Sequence, residues 1–223
     1  MGTEVVQEGA AVLREKAKPV PTKDIGSKTL TAVINRMKDT LKKESFGVAI
    51  AAPQIGESLR IFVIAGKAFD SDEEKKGFDD DDASQNNPSK KSSGLPAAAE
   101  VSGSGARLFS QDNSASRKTK RPDMVFINPV LTRLSKKKKE MSEGCLSVRG
   151  MYGTVMRHEK ATVEALDENG KPFVYHGSGL IGHIFQHEVD HLEGILYIDK
   201  AVKLEEDDDL DGARKKLKDK HGI

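Results

Sequence analysis

A chain of 223 residues with 36% hydrophobic content and a formal net charge of +1 carries no overall field that would favour nucleic acid or a membrane surface. Its length allows one domain or two small ones, and no apolar run is long enough to cross a bilayer. One cysteine excludes an internal disulfide and fits a reducing compartment, cytoplasmic in the bacterial sense, where a lone thiolate persists.

The first residues, Met1 to Gly9, have neither a basic nor an apolar targeting region, so no secretory signal is expected. Gly2 opens a myristoylation pattern, but Val6 stands where Ser or Thr is required. Residues 26–44 have helical spacing. Leu30, Val33, Ile34, Met37 and Leu41 fall on one stripe, with Ser27 or Thr29 to cap its start. The run from Phe46 to Gly56 is rich in small residues and broken by Pro53, as suits backbone packed closely against a neighbour. Ile61 to Ile64 reads as a buried strand.

The composition then changes. Residues 67–121 are mostly Ser, Gly, Asp and Lys, including Asp79 to Asp82 and Ser102 to Gly105. Such a stretch buries too little apolar surface to offset its chain entropy and is expected to be a disordered insertion. A strand is expected from Met124 to Leu131, ended or bent near Pro129, and Lys136 to Lys139 is expected as a solvated hairpin tip. Lys160 to Leu166 alternates as a strand does, and Asp167 to Gly170 turns it into Pro172 to Tyr175. Gly194 to Asp199 is expected as the last strand, with a charged tail or surface helix over 205–223. The fold class that follows is α+β: short antiparallel strands packed around one central helix, in a single domain over 1–204.

That helix spans Leu180 to Leu192 and contains Gln186-His187-Glu188-Val189-Asp190-His191. Positions i and i+4 share a helix face, so His187 and His191 can reach one metal ion. Glu188 projects to the side, where it can meet a water on the metal's open position. An H-E-x-x-H string is also compatible with two plain helix-face histidines and a surface glutamate, and two ligands alone do not make a site. A third donor is available in Glu143-Gly144-Cys145-Leu146-Ser147. One thiolate and two imidazoles leave a fourth position open, the arrangement of a catalytic centre. Cys145 as a small buried hydrophobe is the plainer reading of the same residue.

Three stretches occur in order: Gly47-Val48-Ala49-Ile50-Ala51-Ala52-Pro53-Gln54, Glu143-Gly144-Cys145-Leu146-Ser147 and His187-Glu188-Val189-Asp190-His191. Together they resemble the three motifs of peptide deformylases, and Phe126-Ile127-Asn128-Pro129 is similar to that family as well. The resemblance covers nearly the whole chain outside the insertion and the tail. It implies a metal-dependent hydrolase that removes the formyl group from the N-terminal formylmethionine of new polypeptides and releases formate. It further implies that Cys145, His187 and His191 hold one divalent ion, ferrous iron first and zinc, nickel or cobalt as substitutes.

By the same resemblance Glu188 moves the proton, while Gln54 and the backbone N–H of Leu146 meet the oxyanion. Gly47 and Val48 would pair with the substrate backbone. Val48, Met141, Glu143, Leu180, His183 and Ile184 would line the methionine pocket. Arg157 matches a family arginine that can pair with Glu143; a surface arginine is the alternative. Ala49 stands where the motif has its second glycine, Arg149 replaces a proline, and Tyr152 sits where some members carry arginine. The expected partners are N-formylmethionyl nascent peptides and, through the charged tail and Lys136 to Lys139, the ribosome. No membrane contact and no direct nucleic-acid readout is expected. The competing reading is a non-catalytic, ribosome- or partner-binding relative.

Overall fold

The computed structural model describes residues 4–69 and 121–206. Five strands form one antiparallel sheet: β1 (Ala49–Ala51), β2 (Ile61–Ile64), β3 (Met124–Leu134), β6 (Lys160–Leu166) and β7 (Pro172–Ser178), in the order β1-β2-β3-β6-β7. A second sheet has the order β4-β5-β8, from Lys138–Cys145, Val148–His158 and Ala201–Glu206. Two α-helices complete the fold, α1 (Lys28–Lys43) and α2 (Gly179–Leu192). The expected α+β class, with antiparallel strands around a central helix, is the observed one.

The larger sheet is covered on both faces, which is why its central strands read as unbroken apolar runs. Ile61 and Val63 of β2, with Val125 and Ile127 of β3, pack against the stripe Leu30, Val33, Ile34, Met37 and Leu41 of α1. Phe62, Ile64 and Phe126 point to the opposite face and meet Ile181, Ile184, Phe185 and Val189 of α2. Phe62 stacks on Phe126 at 4.5 Å between ring centroids, and Phe185 meets Phe126 edge-on at 5.4 Å. Burying these large side chains stabilises the sheet–helix contact by about 1.5–3 kcal/mol each. Ser27 caps α1, its Oγ accepting from Leu30 N at 3.2 Å.

Several expectations shift. β3 runs on past Leu131 to Leu134, and of the two alternatives at Pro129 it is the bent one that the strand takes. The chain accommodates this with a register shift and a positive φ of 51° at Asn128, whose amide bonds both N–H and C=O of Val20 at 2.8 Å. Lys136 to Lys139 are exposed as expected, but Lys136 and Lys137 lie between strands of two different sheets and Lys138 and Lys139 already belong to β4, so they do not tip a hairpin. Gly194 to Asp199 is not a strand. Leu196 and Tyr197 are adjacent and both buried, which alternation forbids, and Tyr197–Asp199 forms a 3-10 turn closed by Leu196 N to Asp199 Oδ2 at 2.9 Å. The last strand is β8, so residues 205 and 206 belong to a sheet and not to a tail. The expected insertion begins too early at 67, because Gly66–Phe69 is a 3-10 turn with Ala68 and Phe69 buried. The rest of that expectation, and the helix expected in the tail, lie outside the described residues. Among the described residues no helix is long and apolar enough to cross a membrane.

Candidate metal centre

α2 carries His187 and His191 one turn apart, and their ring centroids lie 4.9 Å from each other. β4 ends on Cys145 after a register shift against β5. That irregularity delivers the thiol to the helix, with Sγ 3.2 Å from His191 Nε2. One donor atom from each of Cys145, His187 and His191 lies within 4.8 Å of the others. Soft sulfur with two imidazoles is a donor set suited to a transition-metal ion. The three expected ligands, up to 46 residues apart and carried by one strand and one helix, are therefore brought together.

The surroundings are built to orient these donors. Glu143 Oε2 lies 2.7 Å from His187 Nδ1, so the other ring nitrogen faces the centre. The same carboxylate takes Arg157 Nε on Oε1 at 2.6 Å and Arg157 Nη2 on Oε2 at 3.0 Å. His183 Nε2 lies 2.8 Å from Glu143 Oε1. Burial would raise the Glu143 pKa, but the bonds from His183, His187 and Arg157 outweigh it and hold the carboxyl far below its usual range. Burial works against a charged His187, yet Cys145 and Glu143 overcome it and push its pKa well up. Burial holds His191 well down.

Glu188 follows the first histidine and is 4% exposed. Among the described residues its Oε2 has no hydrogen-bond partner. Burial raises its pKa to about 7, against the lowering influence of His187. A buried carboxylate oxygen without a partner is costly. Its position beside a Cys–His–His donor set fits a site that holds a cation and a small polar molecule.

Gln54 sits in the 3-10 turn Ala52–Ile55 that follows β1. Its Oε1 accepts from Ala51 N at 2.8 Å, which turns Nε2 toward Ser147 Oγ at 3.2 Å and Cys145 Sγ at 3.4 Å. Ser147 N also reaches Cys145 Sγ at 3.4 Å. Leu146 lies in the turn between these two residues, and its Cδ1 is 3.3 Å from where a side chain on Gly47 would begin. The turn after β4 and the entry to β1 are thus adjacent.

Val48, Leu180 and Ile184 share one apolar cluster. Met141 is half-buried on β4 opposite Val155. Glu143 is different from the other expected lining residues: its side chain is 1% exposed and engaged by three partners, so it supports the donors. Val48 O accepts from Ala65 N at 2.9 Å. Val48 main chain therefore faces β2, and the outward-facing groups along this sheet edge belong to Ala49. The pairing of Arg157 with Glu143 is real and buried, not a surface arginine. Ser147 and Tyr197 were not singled out from the sequence. The Tyr197 ring stacks on His187 at 6.2 Å and its hydroxyl donates to Met151 O at 2.8 Å. Ser147 ends the cysteine motif, which was a signal; nothing local marks Tyr197.

Comparison with known proteins places these features in a family. The family described as polypeptide deformylase matches residues 3–94 and 87–207. A peptide deformylase of Desulfitobacterium hafniense is 33% identical over 201 residues, covering 90% of this chain and 95% of that protein. Peptide deformylase 1A, chloroplastic/mitochondrial, of Arabidopsis thaliana is 35% identical over 199 residues. That match covers 89% of this chain, which spans only 61% of the plant protein's length. Among solved structures, a Met-Ala-Ser-bound class I type b peptide deformylase from Acinetobacter baumannii superposes with a TM-score of 0.62 at 26% identity, covering 90% of this chain and 98% of that one.

Proposed function

The chain belongs to the peptide deformylase family, and on that premise we propose that it hydrolyses the formyl group from the N-terminal formylmethionine of newly made polypeptides, releasing formate. The observation that carries this reading is the buried Oε2 of Glu188, without a hydrogen-bond partner among the described residues, beside the converging donors of Cys145, His187 and His191. These residues hold one divalent cation, ferrous iron in a reducing cell, with zinc, nickel or cobalt able to replace it. When bound, the cation supplies Lewis acidity to water and to the formyl oxygen.

The chain's own residues do the rest. Glu188 accepts a proton from water, and a carboxyl raised to about 7 suits a base that must later return that proton to the leaving amine. Gln54 Nε2, aimed by the Ala51 N–H on its other end, donates to the oxyanion as it develops, together with the Leu146 N–H. Glu143 keeps His187 in the tautomer that presents Nε2. β1 is an edge strand, so an extended peptide can add beside it through Ala49, with Gly47 admitting its approach. Val48, Leu180 and Ile184, with Met141 and His183, form the wall that receives methionine, a flexible side chain that fills apolar gaps well.

The substrate class is N-formylmethionyl nascent chains, and the catalytic unit is a single domain whose last strand runs to Glu206. The same chemistry serves a bacterial cytoplasm or an organelle derived from one. Contact with the ribosome would run through the exposed lysines Lys136 to Lys139 and the charged residues 205–223. The test is formate release from a formyl-Met-Ala-Ser peptide by protein loaded anaerobically with Fe(II). Wild-type protein should release formate. Glu188→Ala should lose about 10²–10⁴-fold in rate while keeping one metal per chain. No formate from metal-replete wild-type protein defeats the reading.

A further inference from the structure

Asp190 lies three residues after His187 on α2 and touches it only through two intermediaries. Its Oδ2 accepts from Arg157 Nη1 at 2.6 Å, and its Oδ1 accepts from Lys200 Nζ at 2.6 Å. The other edge of the same guanidinium holds both oxygens of Glu143, and Glu143 holds His187 Nδ1. Charges alternate from the surface inward: Lys200, Asp190, Arg157, Glu143 and the imidazole. Side-chain exposure falls along the series, from 39% at Lys200 through 14% at Asp190 to 5% and 1% at Arg157 and Glu143.

The network closes on itself. It leaves α2 at His187, crosses to β4 at Glu143, passes to β5 at Arg157 and returns to α2 at Asp190. A guanidinium is a rigid plane, so fixing Nη1 fixes the direction of the opposite Nε–Nη2 edge. That edge sets the rotamer of Glu143, and the rotamer decides whether Oε2 meets His187 Nδ1. Without an acceptor on Nη1, a buried cation would keep an unsatisfied donor and could turn to find another.

We propose that Asp190 is a positioning residue for the metal centre, acting through Arg157 and Glu143 to hold His187 Nε2 toward the cation. In this role it is not one of the residues Cys145, His187 and His191 that offer donor atoms. The inference rests on the reading of Cys145, His187 and His191 as ligands, and not on which substrate is hydrolysed.

The test is titration of Co(II) into metal-free protein, followed by absorption of the Co(II)–thiolate bond to Cys145, beside thermal melting of the same metal-free samples. Asp190→Ala should weaken Co(II) binding by about tenfold. Asp190→Asn, which keeps the shape and one acceptor, should weaken it less and carries the test if the alanine variant does not fold. In a Glu143→Gln background Asp190→Asn should add nothing, because the route to His187 is already cut. Unchanged Co(II) affinity with a lowered melting point, or an equal loss of affinity in both backgrounds, would overturn the proposal. Wild-type protein that binds no Co(II) overturns it together with the metal reading. Protein that binds Co(II) in the expected pattern but releases no formate defeats deformylation and leaves the role of Asp190 standing.

Discussion

His187 Nδ1 and Glu143 Oε2 meet at 2.7 Å across 44 residues of chain. The carboxylate is one of the least exposed groups of the site, and three side chains converge on it. Glu143→Ala would leave Arg157 buried without its main counter-charge. The expected loss is about 3–5 kcal/mol of stability, together with about 10–100-fold in metal affinity. Urea unfolding and metal titration read the two effects separately. A variant with wild-type stability would show that the buried ion pair does not anchor β4 to β5.

Gln54 is held at both ends, by Ala51 N on its oxygen and by Ser147 Oγ and Cys145 Sγ on its nitrogen. Gln54→Leu removes the donor and keeps the volume. The rate of formate release should fall by about 10²–10³-fold, with KM changed far less and one metal still bound. A fall in KM-dependent binding alone would assign Gln54 to substrate capture instead.

α2 approaches β7 through two glycines. A Cβ on Gly182 would stand 2.8 Å from Gly177 O, a backbone atom that cannot swing aside. Gly182→Ala should cost about 1–3 kcal/mol and lower the melting temperature by several degrees. Because α2 carries both histidine ligands, metal affinity should fall in parallel. An unchanged melting curve would mean that the helix can slide without loss.

Glu193 caps the end of α2 region and pairs with Arg60 at 2.6 Å and Lys16 at 2.8 Å. Burial works to raise its pKa, but Lys16 and Arg60 together prevail and lower it. The folded-state value therefore lies below the unfolded one of about 4.3. Its contribution is complete above that pH and is lost as pH falls through the depressed folded value. The pair is partly solvated, so Glu193→Gln should cost no more than about 1 kcal/mol at neutral pH. The difference from wild type should shrink toward zero in acid, read from urea midpoints at neutral pH and at about pH 3. A constant difference would assign the effect to packing.

Much of the architecture is legible along the chain because it is local. The stripe of α1 follows a 3.6-residue period, β6 alternates, and His187 and His191 share a face wherever that helix forms. β8 and the turn at Tyr197 depart from the expectation because Leu196 and Tyr197 are buried side by side, while Val202 and Leu204 remain exposed. Burial there is set by the neighbouring sheet and not by the period of the segment itself.

The sequence alone determined the inventory: one thiol, two histidines a turn apart, a glutamate between them and a glutamine after a proline, in an order that marks the family. Only the tertiary structure decided their geometry. A register shift at the end of β4 carries Cys145 to His191, and Glu143 turns inward to hold His187 instead of lining a pocket. Arg157 and Asp190 join that network from β5 and α2. Periodicity describes which face of an element is apolar, but the meeting of side chains from separate elements depends on sheet register and packing, which no single segment encodes.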